Sequence, residues 1–154
     1  MNRKLIFRIL LVWWCFLGAR AQAGAIQTVK PSDLIALIAN SKSKLILLNF
    51  WATWCPPCRR EVPGIIKLRR YYNKEQLSII GIAMDSSAAM VLDFKQKVKF
   101  NYPVYLGEDT VASMFGVQGF PTIIIYNQSG ERLYMHEGYL SFFDLNRIVK
   151  EFLP

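Results

Sequence analysis

Residues 45–51 read Leu-Ile-Leu-Leu-Asn-Phe-Trp, an apolar run of strand length interrupted once by Asn49. A run without alternation predicts a strand buried on both faces, as at the centre of a parallel sheet. Leu77 to Met84 repeats the pattern, and the β-branched Ile123-Ile124-Ile125-Tyr126 gives a further strand. Asn127-Gln128-Ser129-Gly130 turns that strand back into Glu131 to His136, a hairpin. Tyr102 to Leu106 is a shorter strand, whose Pro103 suits a strand start or an edge.

Helical spacing fills the intervals. Pro31-Ser32-Asp33 opens an apolar-faced helix over Leu34 to Ala39, with Ser32 or Asp33 as its cap. After Cys58, Val62, Ile65, Ile66 and Leu68 share an inner face, opposite Arg59, Arg60, Lys67, Arg69 and Arg70. Pro63 and Gly64 predict a kink within it. Asp85-Ser86-Ser87 caps a helix over Ala88 to Val98, and Glu108 to Phe115 forms another, stopped by Gly116. Gly138 ends the last strand, and Ser141 caps a final helix over Phe142 to Phe152, with Phe143, Leu145, Ile148 and Phe152 available for packing. A leading helix followed by β-α-β-α-β-α-β-β-α implies an α/β fold, a mixed sheet covered by helices on both faces.

Composition sets the scale and the address. A chain of 154 residues, 53% hydrophobic, suits one globular domain. Residues 1–23 stand apart: Arg3, Lys4 and Arg8 precede an apolar stretch from Ile9 to Ala19, then Ala21-Gln22-Ala23 offers a small-x-small cleavage site. This is the pattern of a signal peptide cut after Ala23, leaving a domain of residues 24–154. The stretch is short of the about 20 residues of a bilayer span, and an uncleaved membrane anchor is the alternative. Removing it takes away Arg3, Lys4, Arg8 and Arg20 and no acid, halving the net charge of +8. No basic run with interleaved aromatics stands out, which argues against nucleic acid as a partner.

The exported chain retains two of three cysteines, since Cys15 lies in the leader. Two cysteines in one Cys-x-x-Cys motif, in an oxidising compartment, point to a redox pair rather than a disulfide scaffold. Zinc would need two more ligands, and the sole histidine, His136, lies far along the chain, so no metal site is expected. Met84, Met90, Met114 and Met135 lack regular ligand spacing and read as core or gap-filling residues, against copper(I) binding. The pair falls where a strand meets a helix, Phe50-Trp51-Ala52-Thr53-Trp54-Cys55-Pro56-Pro57-Cys58. Cys55 therefore sits at a helix N-terminus, where free N–H groups and the helix dipole stabilise a thiolate. Cys58, one turn on, is placed to attack a mixed disulfide on Cys55. Pro56 and Pro57 are tolerated in a first helical turn.

Through Asn49-Phe50-Trp51-Ala52-Thr53-Trp54-Cys55-Pro56-Pro57-Cys58-Arg59-Arg60-Glu61-Val62-Pro63 the chain resembles the thioredoxin-like superfamily, and within it the secreted TlpA/ResA/CcmG-like thiol-disulfide oxidoreductases. Gly116-Val117-Gln118-Gly119-Phe120-Pro121-Thr122 resembles that family's cis-proline loop. The resemblance spans about Gln27 to Leu153 and implies a thioredoxin fold, a mixed central sheet flanked by helices. The stretch between Cys58 and Pro121 is long enough for the subgroup's extra strand-helix insertion.

The same resemblance implies roles. Cys55 is then the nucleophile, Cys58 the resolving thiol and Pro121 the cis-proline against the disulfide. Phe120 exposes backbone to a partner chain, and Trp54, Phe120 and Thr122 form the substrate-binding surface. Glu61 matches the active-site glutamate of the ResA-like proteins. Asn49 stands behind the site where plain thioredoxins have a buried acid, which leaves Glu61 to handle protons.

The expected activity is extracytoplasmic or periplasmic dithiol-disulfide exchange by a monomer with no bound cofactor, most simply as a reductase of protein disulfides. The resemblance implies protein thiol and disulfide substrates, such as apocytochrome c, and a membrane electron donor of the DsbD/CcdA type. A Dsb-like oxidase or isomerase, and a non-enzymatic binding or copper-handling protein, are the rival readings.

Overall fold

A computed structural model describes residues 25–154; the predicted leader and Cys15 lie outside the described residues. The elements are β1 (Thr28–Val29), α1 (Pro31–Ala39), β2 (Leu45–Trp51), α2 (Pro56–Tyr71), β3 (Leu77–Ala83), α3 (Ala88–Val98), β4 (Val104–Gly107), α4 (Asp109–Met114), β5 (Thr122–Asn127), β6 (Arg132–Glu137) and α5 (Phe142–Phe152). They form a six-stranded mixed sheet in the order β1-β4-β3-β2-β5-β6. β2, β3, β4 and β1 run parallel, whereas β5 is antiparallel to β2 and to β6. The interval between Cys58 and Pro121 holds β4 and α4, the additional strand-helix pair expected there. Among the described residues, no helix is long and apolar enough to cross a membrane.

Every residue of β2 is buried, as its unbroken apolar run requires. Its side chains alternate between two cores, as the two-residue period of a strand dictates. Leu45, Leu47 and Trp51 meet α2 and α5 through Val62, Ile65, Leu68, Leu145 and Ile148. Ile46, Leu48 and Phe50 meet α1 and α4 through Leu34, Ile38, Val111 and Phe115. Burying such side chains on both faces contributes about 1.5–3 kcal/mol each. Placing β2 at the centre of the sheet is therefore the best use of its composition.

Several local expectations need correction. β1 went unpredicted: two residues carry no period, and the strand exists only by pairing with Leu106 and Gly107 of β4. The same pairing places β4 inside the sheet, so of the two placements expected for Pro103 the strand start holds and the edge does not. α1 begins at Pro31, so Ser32 and Asp33 lie within it, and Asp33 caps backwards by accepting the Lys30 N–H at 2.9 Å. At α3 the Ser87 side chain makes no cap bond, and Asp85 is engaged elsewhere. Phe143 does not pack inward but is 76% exposed, and Met90, Met114 and Met135 are exposed rather than filling core gaps.

Candidate active site

β2 and β3 are parallel and in register from Leu45/Leu77 to Trp51/Ala83, so their C-terminal ends emerge side by side. The chain leaving β2 turns through Ala52-Thr53-Trp54 into α2, and Asp85, just past β3, holds that turn. Its carboxylate accepts the Thr53 N–H at 3.1 and 3.2 Å and the Thr53 hydroxyl as well. Cys55 is the N-cap of α2, with extended backbone (φ −91°, ψ 107°), and the prolines occupy the first helical turn. In place of the usual oxygen, Cys55 Sγ accepts the Cys58 N–H at 3.3 Å. This contact and the positive end of the helix dipole both favour charge on that sulfur. Cys55 and Cys58 are joined in a disulfide, with Cα atoms 5.3 Å apart.

The second wall comes from β5. Its antiparallel pairing with β2, Phe50 opposite Thr122, brings the start of β5 to the end of β2 where the cysteines begin. The Phe120–Pro121 peptide bond is cis, and the Phe120 carbonyl oxygen lies 3.6 Å from Cys55 Sγ. Trp54, 61% exposed, meets the half-buried Phe120 ring edge-on at 6.1 Å. These two rings flank Cys55, itself only 3% exposed, through its chain neighbour Trp54 and the Phe120 carbonyl. The Thr122 side chain does not belong to this rim: it is fully buried and its hydroxyl donates to the Gly119 carbonyl at 2.8 Å, which ties the loop together.

Glu61 lies one helical turn beyond Cys58, on the same inner face of α2. Its carboxylate accepts the Leu140 N–H at 2.9 Å and the Asn49 side-chain N–H at 3.1 Å. Both residues are fully or almost fully buried. Burial pushes the Glu61 carboxyl up to about 7, although the bonds from Leu140 and Asn49 pull it down. A group in that range exchanges protons readily near neutral pH, which suits a general acid or base.

Further polar groups border it. Burial, and then the charge of Glu61, raises the Tyr102 phenol well above its ordinary value. Asn49 Oδ1, Trp51 Nε1 and the Tyr102 hydroxyl have no hydrogen-bond partner among the described residues. Gly81, opposite Asn49 in the sheet, makes room for this packing. A Cβ there would stand 3.1 Å from the Tyr102 ring and 3.4 Å from Trp51 Nε1.

Of the residues singled out from sequence, Cys55, Cys58, Trp54, Phe120 and Pro121 converge at the C-terminal end of β2 and the start of β5, with Glu61 and Asn49 behind. Sequence reasoning missed Asp85, Leu140, Tyr102 and Gly81. Asp85 had a usable signal, an acid directly after a buried strand. The Leu140 contribution is a backbone N–H and had none.

Comparison with known proteins agrees with this geometry. The model of the AhpC/TSA family matches residues 18–131. The thiol-disulfide oxidoreductase ResA of Halalkalibacterium halodurans is 30% identical over 113 residues, covering 73% of this chain and 62% of its own length. The thioredoxin-like protein YneN of Bacillus subtilis is 30% identical over 104 residues, covering 66% and 61%. The chain thus spans about three fifths of the length of these two relatives. A crystal structure of a thiol:disulfide interchange protein from Chlorobium tepidum superposes with a TM-score of 0.68 at 30% identity, over 75% of this chain and 84% of that one. The chain, with its Cys55–Cys58 pair set against a cis-proline loop, belongs to the thioredoxin-like AhpC/TSA family, and its relatives include thiol-disulfide oxidoreductases of the ResA type.

Proposed function

We propose that this protein is an extracytoplasmic thiol-disulfide oxidoreductase that reduces protein disulfides through a mixed disulfide on Cys55. One observation carries the reading: Cys55 Sγ, 3% exposed beside the exposed Trp54, accepts an N–H at the α2 N-terminus, and Cys58 and Glu61 are more deeply buried on the same helix. The Cys55 thiolate attacks one sulfur of a substrate disulfide, forming the mixed disulfide and releasing the other sulfur as a thiolate. Cys58 then loses its proton, attacks Cys55 Sγ, and expels the second substrate thiolate as the Cys55–Cys58 disulfide closes. Two electrons pass to the substrate, and two protons complete its thiols. Glu61, one turn from Cys58, is the base for the Cys58 proton, with Asn49 orienting it. Trp54 and the Phe120 backbone receive the substrate chain, and Pro121 fixes that backbone against the sulfurs. The reaction needs no bound cofactor, because the cysteine pair itself carries the electrons.

The leader pattern supports export, and the resemblance to the TlpA/ResA/CcmG-like proteins favours the reducing direction. An exported reductase in an oxidising compartment must be fed electrons, which makes a membrane donor of the DsbD/CcdA type the natural partner and apocytochrome c a natural substrate. The test is trapping by variants: Cys58→Ser should accumulate mixed disulfides with substrate and Cys55→Ser should not. Equal trapping by both removes the assigned roles. Direction is tested by the reduction potential. A value of about −270 mV or lower fits a reductase, whereas one near −120 mV marks a Dsb-type oxidant.

A further inference from the structure

The face formed by α2 and α5, outside the redox rim, carries an unusual surface. Phe143 is 76% exposed, and Tyr71 and Tyr139 are exposed beside it. Lys67 reaches over the Phe142 ring at 4.1 Å and the Phe143 ring at 5.9 Å, and Lys150 stands over Tyr71 at 5.9 Å. Arg60 stands over Tyr139 at 5.8 Å, so all four cation–π contacts among the described residues fall on this one face. Phe142 packs edge-on against both Tyr71 and Phe143, which makes the rings continuous. Along α2 the strip runs from Arg60 to Tyr71, about 16 Å at 1.5 Å per residue. The exposed charge on α2 has one sign: Arg59, Arg60, Lys67 and Arg70 are exposed, Arg69 is half-buried against the Tyr72 carbonyl, and the single acid, Glu61, is buried; α5 adds exposed Arg147, Lys150 and Glu151 and the half-buried Asp144.

We propose that this strip docks the protein on an anionic lipid surface. A face whose exposed charges are mostly cationic attracts an anionic occupant, and its chemistry favours a bilayer over an acidic peptide. Aromatic rings with cations folded across them suit the boundary between headgroups and acyl chains, where rings enter and ammonium groups stay at the phosphates. A peptide would be held in a groove, and the groove of about 740 Å³ beside Thr28, Leu37 and Tyr105 shares no lining residue with this strip. A broad face of two packed helices matches a broad layer of charge. Docked this way, α2 lies along the bilayer with Cys55 at its end, so the redox rim stays open at the edge of the contact.

The test is vesicle flotation of the protein purified from an exporting host, using phosphatidylcholine vesicles with and without phosphatidylglycerol. No redox partner is involved, so the result is independent of the proposed reductase activity. The expected result is binding to the anionic vesicles alone, weakening as salt is raised. Lys67→Gln and Lys150→Gln should each weaken binding about fivefold. Phe143→Ser should weaken it at unchanged charge, and all three variants should keep wild-type dithiol exchange. Any contribution from the N-terminal segment is common to wild type and variants. Equal binding by the variants, equal binding to neutral vesicles, or capture by polyglutamate with none by vesicles would each overturn the proposal.

Discussion

Glu61→Gln isolates the buried carboxyl beneath the cysteines, because it keeps the shape of the side chain and removes its charge. The amide oxygen can still accept the Leu140 N–H, and Asn49, whose Oδ1 has no partner, can turn that oxygen toward the new amide nitrogen. In the wild type, burial lifts the carboxyl from an ordinary 4.5 to about 7. With a tenfold change in proton affinity corresponding to about 1.4 kcal/mol, the fold favours the protonated form by about 3 kcal/mol. The folded protein therefore holds this proton more tightly than the unfolded chain does. That stabilisation is complete below pH 4.5, where both states are protonated, and is lost as pH rises through about 7. Denaturant unfolding of the oxidised wild type and Glu61→Gln across this window measures it, because groups that do not feel Glu61 cancel in the difference and Tyr102, which does, titrates above it. Wild-type stability relative to the variant should fall by about 3 kcal/mol with rising pH. A difference that stays flat, or rises with pH, would refute the account of Glu61 as a buried carboxyl whose neutral form is favoured.

Two other positions are as open to test. Gly81→Ala should destabilise by about 1–3 kcal/mol in denaturant unfolding through overpacking against the Tyr102 ring, Val104 and the Trp51 indole; an unchanged midpoint would show slack there. Ser141 accepts the Asp144 N–H at 3.2 Å while Asp144 accepts the Ser141 N–H at 3.1 Å, so Ser141→Ala should cost about 1 kcal/mol and lower the melting temperature. A melting temperature equal to wild type would remove the reciprocal cap from the account of α5.

The central strands were legible because their apolar runs leave them no other place than the middle of a sheet. Cys55 was legible for a related reason, since a strand, a Cys-x-x-Cys and an amphipathic run fix a helix N-terminus without tertiary information. What lay hidden depended on partners distant in sequence. β1 has no pattern of its own and is defined by β4. Asp85 resembled a helix cap, but the turn at Thr53 takes it instead, because parallel pairing of β2 with β3 brings the two loops together. Glu61 could be named but not its environment, since Leu140 arrives from the far end of the chain as a bare N–H. Phe143 shows the opposite limit: helical spacing marks where a ring can pack, not whether anything covers it.

The pairing of Phe50 with Thr122 has a consequence for quality control. Cys55 and Pro121 belong to distant segments, and only that single alignment of β2 with β5 brings their loops together. A slip of one residue would turn every side chain of the displaced strand to the opposite face, since strand side chains alternate with a period of two. A mispaired molecule would thus lose its core and its site in the same event. Assembly of the candidate site therefore doubles as a report on the threading of the sheet, since a one-residue slip cannot keep the core while losing only the site.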